Sequence, residues 1–189
     1  MSNKGRLIVF SAPSGSGKTT LINMLMKDHS GFIFSISATT RPPRGNEKDG
    51  VEYFFLSESQ FTKKIKNNEF VEHKTVYGNS YGTLRSFVEI SLKEGKNIIF
   101  DIDVQGALAI KDQYPDDALM IFIYPPSIEE LKKRLIIRGT DSEETIENRL
   151  KFAKNEMEKM KEYSYNICND SLKDTYAELE RILKKEGVI

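Results

Sequence analysis

The chain has 189 residues, 39% of them hydrophobic and 30% charged, which suits one folding unit with its own core and excludes the disordered and fibrous classes. Acidic and basic residues balance at 28 each, so bulk charge offers no attraction for nucleic acid or an anionic membrane. Cys168 is the only cysteine, which rules out an intramolecular disulfide and a cysteine zinc cage and fits a reducing compartment.

The opening Met1-Ser-Asn-Lys-Gly-Arg runs into an apolar segment without a signal-peptide core. The longest uninterrupted apolar run, Ala118–Tyr124, falls far below the roughly 18 residues of a membrane span. A soluble, cytoplasmic protein is expected. The first element is a strand at Leu7–Phe10. It leads into Ala12-Pro13-Ser14-Gly15-Ser16-Gly17-Lys18-Thr19, followed by the helical pattern from Thr20 onward. A strand, a glycine-rich loop and a helix in that order form a P-loop, whose backbone N–H groups wrap the β-phosphate of a nucleotide. Gly15 and Gly17 allow the close approach, Lys18 reaches the β- and γ-phosphates, and the Thr19 hydroxyl suits Mg²⁺. The strict pattern begins with glycine, and Ala12 stands there instead.

His29 falls in an expected loop, and a second strand is predicted at Phe32–Ile36. From Thr39 to Thr83 the rhythm changes. Arg-Pro-Pro-Arg-Gly and Tyr-Gly-Asn-Ser-Tyr-Gly are turn signals, with a short helix predicted near Ser57–Lys66, so this stretch reads as a small α+β insertion. Arg41 and Arg44, followed by Tyr53, supply forked donors and a hydroxyl suited to a second phosphate group. Glu72, Tyr81 and Thr83 follow, with His73 directed away from Glu72 by strand alternation.

The run Asn97-Ile-Ile-Phe-Asp101-Ile-Asp103 is an apolar strand ending in carboxylates, where P-loop enzymes place the acid that helps hold Mg²⁺. Asp103 also reads as a helix N-cap, and the pattern leaves both roles open. Strands follow at Leu119–Tyr124 and Tyr165–Cys168. Apart from Asn166 these runs are continuous rather than alternating, which predicts a parallel sheet covered on both faces. Arg134 and Arg138 share one helix face, Gly139 ends that helix, and Asp141 with Glu144 predicts a capping box for the next. Two helices joined by a short break can cover a site. For Arg134 an exposed ion pair with nearby acids is the alternative. Apolar residues at 146, 150, 153, 157 and 160, and again at 172, 176, 179 and 182, predict the last two helices.

Residues Thr39, Thr40, Arg41, Arg44, Glu47, Gly50, Tyr53 and Phe55 match the signature of guanylate kinases, and the chain resembles that family over essentially its whole length. The resemblance implies ATP as phosphoryl donor, Mg²⁺, and GMP (with dGMP) as acceptor. It assigns the GMP phosphate to Ser37, Arg41, Arg44, Tyr53 and Tyr81, and guanine to Glu72, Thr83 and Asp103. A buried carboxylate at Glu72 can accept both N1–H and the exocyclic amine, and Thr83 can donate to O6. Adenine, with no proton on N1, would leave that carboxylate unpaired. ATP is assigned to residues 12–20 (ending at Thr20) with Arg134 and Arg138, the metal to Thr19 and Asp101, and transition-state charge to Lys18, Arg41, Arg138 and Arg149.

Of the eight arginines only Arg6, Arg85 and Arg181 match no family position, so positive charge gathers at the site. The implied fold is α/β, a P-loop NTPase-type parallel sheet flanked by helices, with a GMP-binding insertion and a helical lid. The division expected within 1–189 is a core (1–37, 84–125 and 163–189), a GMP-binding region (38–83) and a lid region (126–162). Two alternatives stand beside it: a non-catalytic guanylate-kinase-like interaction module, and a P-loop kinase for another monophosphate. The intact Gly17-Lys18-Thr19 argues against the first, and Glu72 with Thr83 against the second. A homo-oligomer is compatible with either.

Overall fold

The computed structural model describes residues 4–189. Its central sheet has five parallel strands in the order β2-β7-β1-β8-β9: β1 (Leu7–Ser11), β2 (Phe32–Phe34), β7 (Asn97–Asp101), β8 (Ala118–Tyr124) and β9 (Tyr165–Cys168). In β1, successive side chains enter opposite cores. Ile8 and Phe10 pack with Leu21, Ile22 and Leu25 of α1 (Lys18–Asp28) and with Leu179, Ile182 and Leu183 of α7 (Leu172–Lys185). Leu7 and Val9 pack with Val88 and Leu92 of α3 (Arg85–Lys93) and with Val104, Ala107 and Ile110 of α4 (Val104–Gln113). Helices on both faces explain the unbroken apolar run, since every β1 residue is buried. Each such aliphatic side chain contributes about 1.5–3 kcal/mol by burial.

The second strand ends earlier than the sequence suggests. Phe34 is 45% exposed, the chain leaves the main sheet, and Ser37–Thr39 opens a second sheet as β3. That sheet has the order β4-β3-β6-β5, with β4 at Phe54–Phe55, β5 at Phe70–Val76 and β6 at Asn79–Leu84. Helix α2 (Glu58–Lys66) covers it, placing Phe61 against Phe70 at 4.4 Å between ring centres. Its start is fixed by a capping box in which the Ser57 hydroxyl accepts from the Gln60 N–H and the Gln60 side chain accepts from the Ser57 N–H. Strands β5 and β6 form a hairpin closed by Tyr77 and Gly78, both at positive φ (48° and 79°), as a two-residue turn of the I′ type requires.

Helices α5 (Ile128–Arg138) and α6 (Glu143–Met157) form a small layer of their own, packed through Leu131, Leu135, Ile146 and Ala153. Gly139 caps α5 in the left-handed conformation at φ 68°. The expected Asp141–Glu144 capping box is corrected: Ser142 is the N-cap of α6, its hydroxyl accepting from the Thr145 N–H. Asp141 is thereby free to pair with Arg149. Met160 lies beyond α6 in a short 3-10 turn, Met160–Glu162.

Candidate active site

The C-terminal ends of the parallel strands, the second sheet and the α5–α6 layer enclose a cavity of about 1170 Å³. Its floor is the loop from Ala12 to Gly17 with the first turn of α1. Gly17 precedes that helix at φ 90°, and no side chain caps it, so the first-turn N–H groups remain available to an anion. The loop is held from below. The buried Asn169 donates from Nδ2 to the Ser16 carbonyl (2.7 Å) and accepts from the Thr175 hydroxyl (3.0 Å). A Cβ on residue 17 would collide with that Asn169 amide.

Beside the loop, Lys18 pairs with Asp101 (2.5 Å) and donates to the Ile102 carbonyl (3.3 Å), while the Thr19 hydroxyl donates to the other Asp101 oxygen (3.4 Å). Arg134, Arg138 and Arg149 line the same wall. Arg134 donates to the Asn169 carbonyl (2.9 Å) and pairs with Glu130 (3.2 Å), so the ion pair expected as the alternative is formed while the residue still lines the cavity. Arg138 faces the cavity with no ion-pair partner among the described residues. Arg149 pairs with Asp141 (3.0 Å) and donates to the Ser14 hydroxyl, tying α6 to the phosphate loop.

The opposite wall carries Ser37, Tyr53, Glu72, Tyr81, Thr83 and Asp103. The β5–β6 register sets Glu72 opposite Thr83, and the Thr83 hydroxyl donates to Glu72 (2.8 Å). Burial pushes the Glu72 carboxyl above the usual glutamate range, against the Thr83 hydrogen bond. Asp103 is the N-cap of α4, accepting from the Gly106 N–H (2.9 Å), and its other oxygen pairs with Lys74. Burial raises its carboxyl, but the Gly106 N–H and Lys74 together hold it below the usual range. Capping and facing the cavity are therefore compatible.

Arg41 and Arg44 do not line this cavity. Arg41 is 7% exposed and forms a knot of its own: its guanidinium donates to Glu47 (2.9 Å) and the Pro42 carbonyl (2.7 Å) and lies 5.2 Å from the Tyr53 ring centre. Glu47 also accepts from the Arg44 backbone N–H (2.7 Å), and these bonds, that from Arg41 foremost, hold its carboxyl below the usual range. The signature spacing of Arg41, Arg44, Glu47 and Tyr53 thus builds a preformed arginine mount next to a cavity-lining tyrosine. His29 contacts Glu180 (3.1 Å), and His73 turns toward Phe70, so neither enters the cavity.

Three residues escaped the sequence reading. Lys74 lies two positions after Glu72 and so shares its strand face. Glu156 lies seven after Arg149, two turns along the same face of α6. Asn169 follows β9 at the carboxyl end of a parallel strand, where open α/β sheets bind ligands. Lys74 and Glu156 carried a spacing signal, and Asn169 only its place at a strand end.

The family model described as guanylate kinase matches residues 4–186. The guanylate kinase of Bacteroides thetaiotaomicron is 51% identical over 182 residues, covering 96% of this chain and 89% of that protein. That of Thermotoga maritima is 43% identical over 183 residues, covering 97% and 88%. The crystal structure of guanylate kinase from Anaplasma phagocytophilum superposes with a TM-score of 0.72 at 32% identity, covering 97% of this chain and 87% of that one. A phosphate loop and a second, carboxylate-bearing wall enclosing one cavity agree with a likeness that runs nearly end to end, and the chain belongs to the guanylate kinase family.

Proposed function

We propose that this protein transfers the γ-phosphoryl group of ATP to GMP, and to dGMP, giving ADP and the guanosine diphosphate. The observation that carries the reading is a single cavity in which a phosphate loop with Lys18 faces a wall holding Glu72, Thr83, Tyr53 and Tyr81. ATP occupies the loop from Ala12 to Thr20, with Arg134 and Arg138 along its phosphates. GMP lies against Ser37, Tyr53, Glu72, Tyr81, Thr83 and Asp103. Residues 38–83 serve as the GMP-binding region and 126–162 as the lid over a core formed by the rest.

An acceptor phosphate oxygen forms the new bond to the γ-phosphorus as the bond from that phosphorus to the β–γ bridging oxygen breaks. The acceptor phosphate has a second pKa of ~6 and is mostly dianionic at neutral pH, so no general base is needed. The Lys18 ammonium exchanges Asp101 and the Ile102 carbonyl for β- and γ-phosphate oxygens. Arg138 and Arg149 stabilise charge on the transferred group. Arg41, held by Glu47, and Arg44 orient the acceptor phosphate through the Tyr53 side of the cavity. Glu72 accepts from guanine N1–H and the exocyclic amine, and the Thr83 hydroxyl turns from Glu72 to donate to O6.

Thr19 and Asp101 present adjacent hydroxyl and carboxylate oxygens, a hard donor pair that fits Mg²⁺, which takes few protein ligands and completes its shell with water and phosphate. When bound, Mg²⁺ neutralises charge on the β- and γ-phosphate oxygens. Among the described residues no helix is long and apolar enough to cross a membrane. Work in the cytoplasm is part of this proposal, and the balanced net charge offers no bulk attraction for nucleic acid. The test is Lys18→Ala: kcat with ATP and GMP should fall by about 100-fold or more, in line with losing a positioned charge in the transition state. Near-wild-type turnover would overturn the assignment.

A further inference from the structure

Five carboxylates line the cavity: Glu52, Glu72, Asp101, Asp103 and Glu156. Four are committed. Glu52 accepts from the Lys48 N–H (2.7 Å), Glu72 from Thr83, Asp101 from Lys18 and Thr19, and Asp103 from Gly106 and Lys74. Glu156 alone has neither a hydrogen bond nor an ion pair among the described residues. It is half-buried on α6, burial raises its carboxyl, and the charges of Lys18 and Lys74 act on it in the opposite sense.

Lys74 has the converse problem. It stands on β5 two residues after Glu72, lines the cavity, and covers the one Asp103 oxygen not engaged in capping α4. A donor on the acceptor's base that approaches Asp103 must compete with that ammonium. Displaced from Asp103, the Lys74 ammonium, whose side chain is 47% exposed, passes either to solvent or to another cavity acceptor within reach of its stem. Lys18 is the other cation near Glu156, and the phosphates claim it. A lysine has three donors on a flexible four-carbon stem, so it can move between acceptors without passing through an unpaired state.

The geometry points to an exchange of partners, in which the base of the acceptor nucleotide takes Asp103 and Lys74 passes to Glu156, joining β5 to α6 across the filled cavity. The inference rests on GMP being the acceptor. Lys74 and Glu156 are then positioning residues, and neither touches the transferred phosphoryl group. The exchange also gives a reason for an otherwise unpaired acid in the site.

The experiment is calorimetric GMP binding without ATP, for the wild type, Lys74→Met, Glu156→Gln and the double variant, with ADP binding and ligand-free melting measured alongside. In the wild-type background Glu156→Gln should weaken GMP about fivefold or more while ADP binding changes less than about twofold. In the Lys74→Met background the same change should shift GMP affinity by less than about twofold, because its partner is already gone. Lys74→Arg should keep the full Glu156→Gln effect. In ligand-free melting the coupling between the two substitutions should be weaker than in GMP binding, since before the nucleotide arrives the two charges interact without pairing. Equal Glu156→Gln effects in both backgrounds, no effect in the wild type, or coupling as large without ligand as with it would each overturn the exchange. Failure of the wild type to bind GMP at all would instead remove the parent reading.

Discussion

Replacing Asn169 with alanine should loosen the phosphate loop from beneath. The substitution removes the 2.7 Å bond to the Ser16 carbonyl, and Ser16 is fully buried, so that carbonyl loses its partner where water does not reach. Thr175 is less affected, because its hydroxyl also contacts the carbonyls of Ser171 (2.7 Å) and Cys168 (3.3 Å). The bond from Arg134 goes to the Asn169 main chain and survives. One orphaned buried acceptor costs about 1–3 kcal/mol. For a chain of this length that is a fall in Tm of roughly 2–12 °C. Because the loss falls on the ATP side, KM for ATP should rise about fivefold while KM for GMP stays within about twofold. Gly17→Ala supplies an internal check. The new Cβ meets the Asn169 amide and the residue sits at φ 90°, so it carries a steric cost and a conformational one. Asn169→Ala relieves only the first, and the double variant should melt higher than the sum of the singles requires. Thermal melts with steady-state kinetics decide it: an unchanged Tm and an unchanged ATP KM in Asn169→Ala would refute the bracing role.

Two further outcomes follow from particular groups. Glu72 has its pKa above the ordinary glutamate value of 4.5, chiefly through burial, and must be ionised to accept two guanine donors. GMP affinity should therefore strengthen as pH rises through that raised pKa, beyond what the phosphate's own second ionisation gives. Glu72→Gln should remove the extra step and weaken GMP about tenfold or more. The linkage for folding has the opposite sense: a raised folded-state pKa means stability is lost as pH rises from 4.5 through the folded value, so Glu72→Gln should not destabilise the free protein at neutral pH. A Tm fall in Glu72→Gln together with unchanged GMP affinity would count against this role. Gly139→Ala meets open space, its nearest neighbour being the Ile137 carbonyl at 3.9 Å, so its cost is the left-handed backbone alone. Differential scanning calorimetry should show a loss of about 1–2 kcal/mol, roughly 2–8 °C; no loss would mean the α5–α6 link is not constrained as described.

The parallel sheet was readable because both its faces are covered. Leu119–Tyr124 is an unbroken apolar run and Tyr165–Cys168 an edge strand interrupted by the exposed Asn166, and they became β8 and β9 nearly residue for residue. The Phe32–Ile36 run misled because apolar character does not show which sheet a strand joins. Phe34 and Ser37 belong to different sheets although only two residues separate them. At the start of α6, Asp141 and Ser142 are both good N-caps, and the choice was made by a tertiary contact, the pairing of Asp141 with Arg149. The phosphate loop is local in sequence and was legible whole. Its brace, Asn169, lies 153 positions from Ser16, and no local pattern links the two. Lys74 and Glu156 share faces with Glu72 and Arg149 in the sequence, but only the fold brings those two faces to one cavity. Arg41 and Arg44 were expected to be phosphate donors, and the structure holds Arg41 in a knot with Glu47 beside Tyr53, outside the cavity lining.

The most direct test of the central claim is ADP production from ATP and Mg²⁺ with GMP, AMP, CMP, UMP or dTMP as acceptor, dGMP being assayed separately. The account predicts turnover with GMP and rejection of AMP by a factor of about 10⁴, the discrimination expected when a carboxylate built for two donors meets a base with neither the N1–H nor the 2-amino group. Comparable turnover with another base would contradict the role given to Glu72 and Thr83, and no turnover with any acceptor, in folded protein that binds GMP, would contradict the enzyme itself.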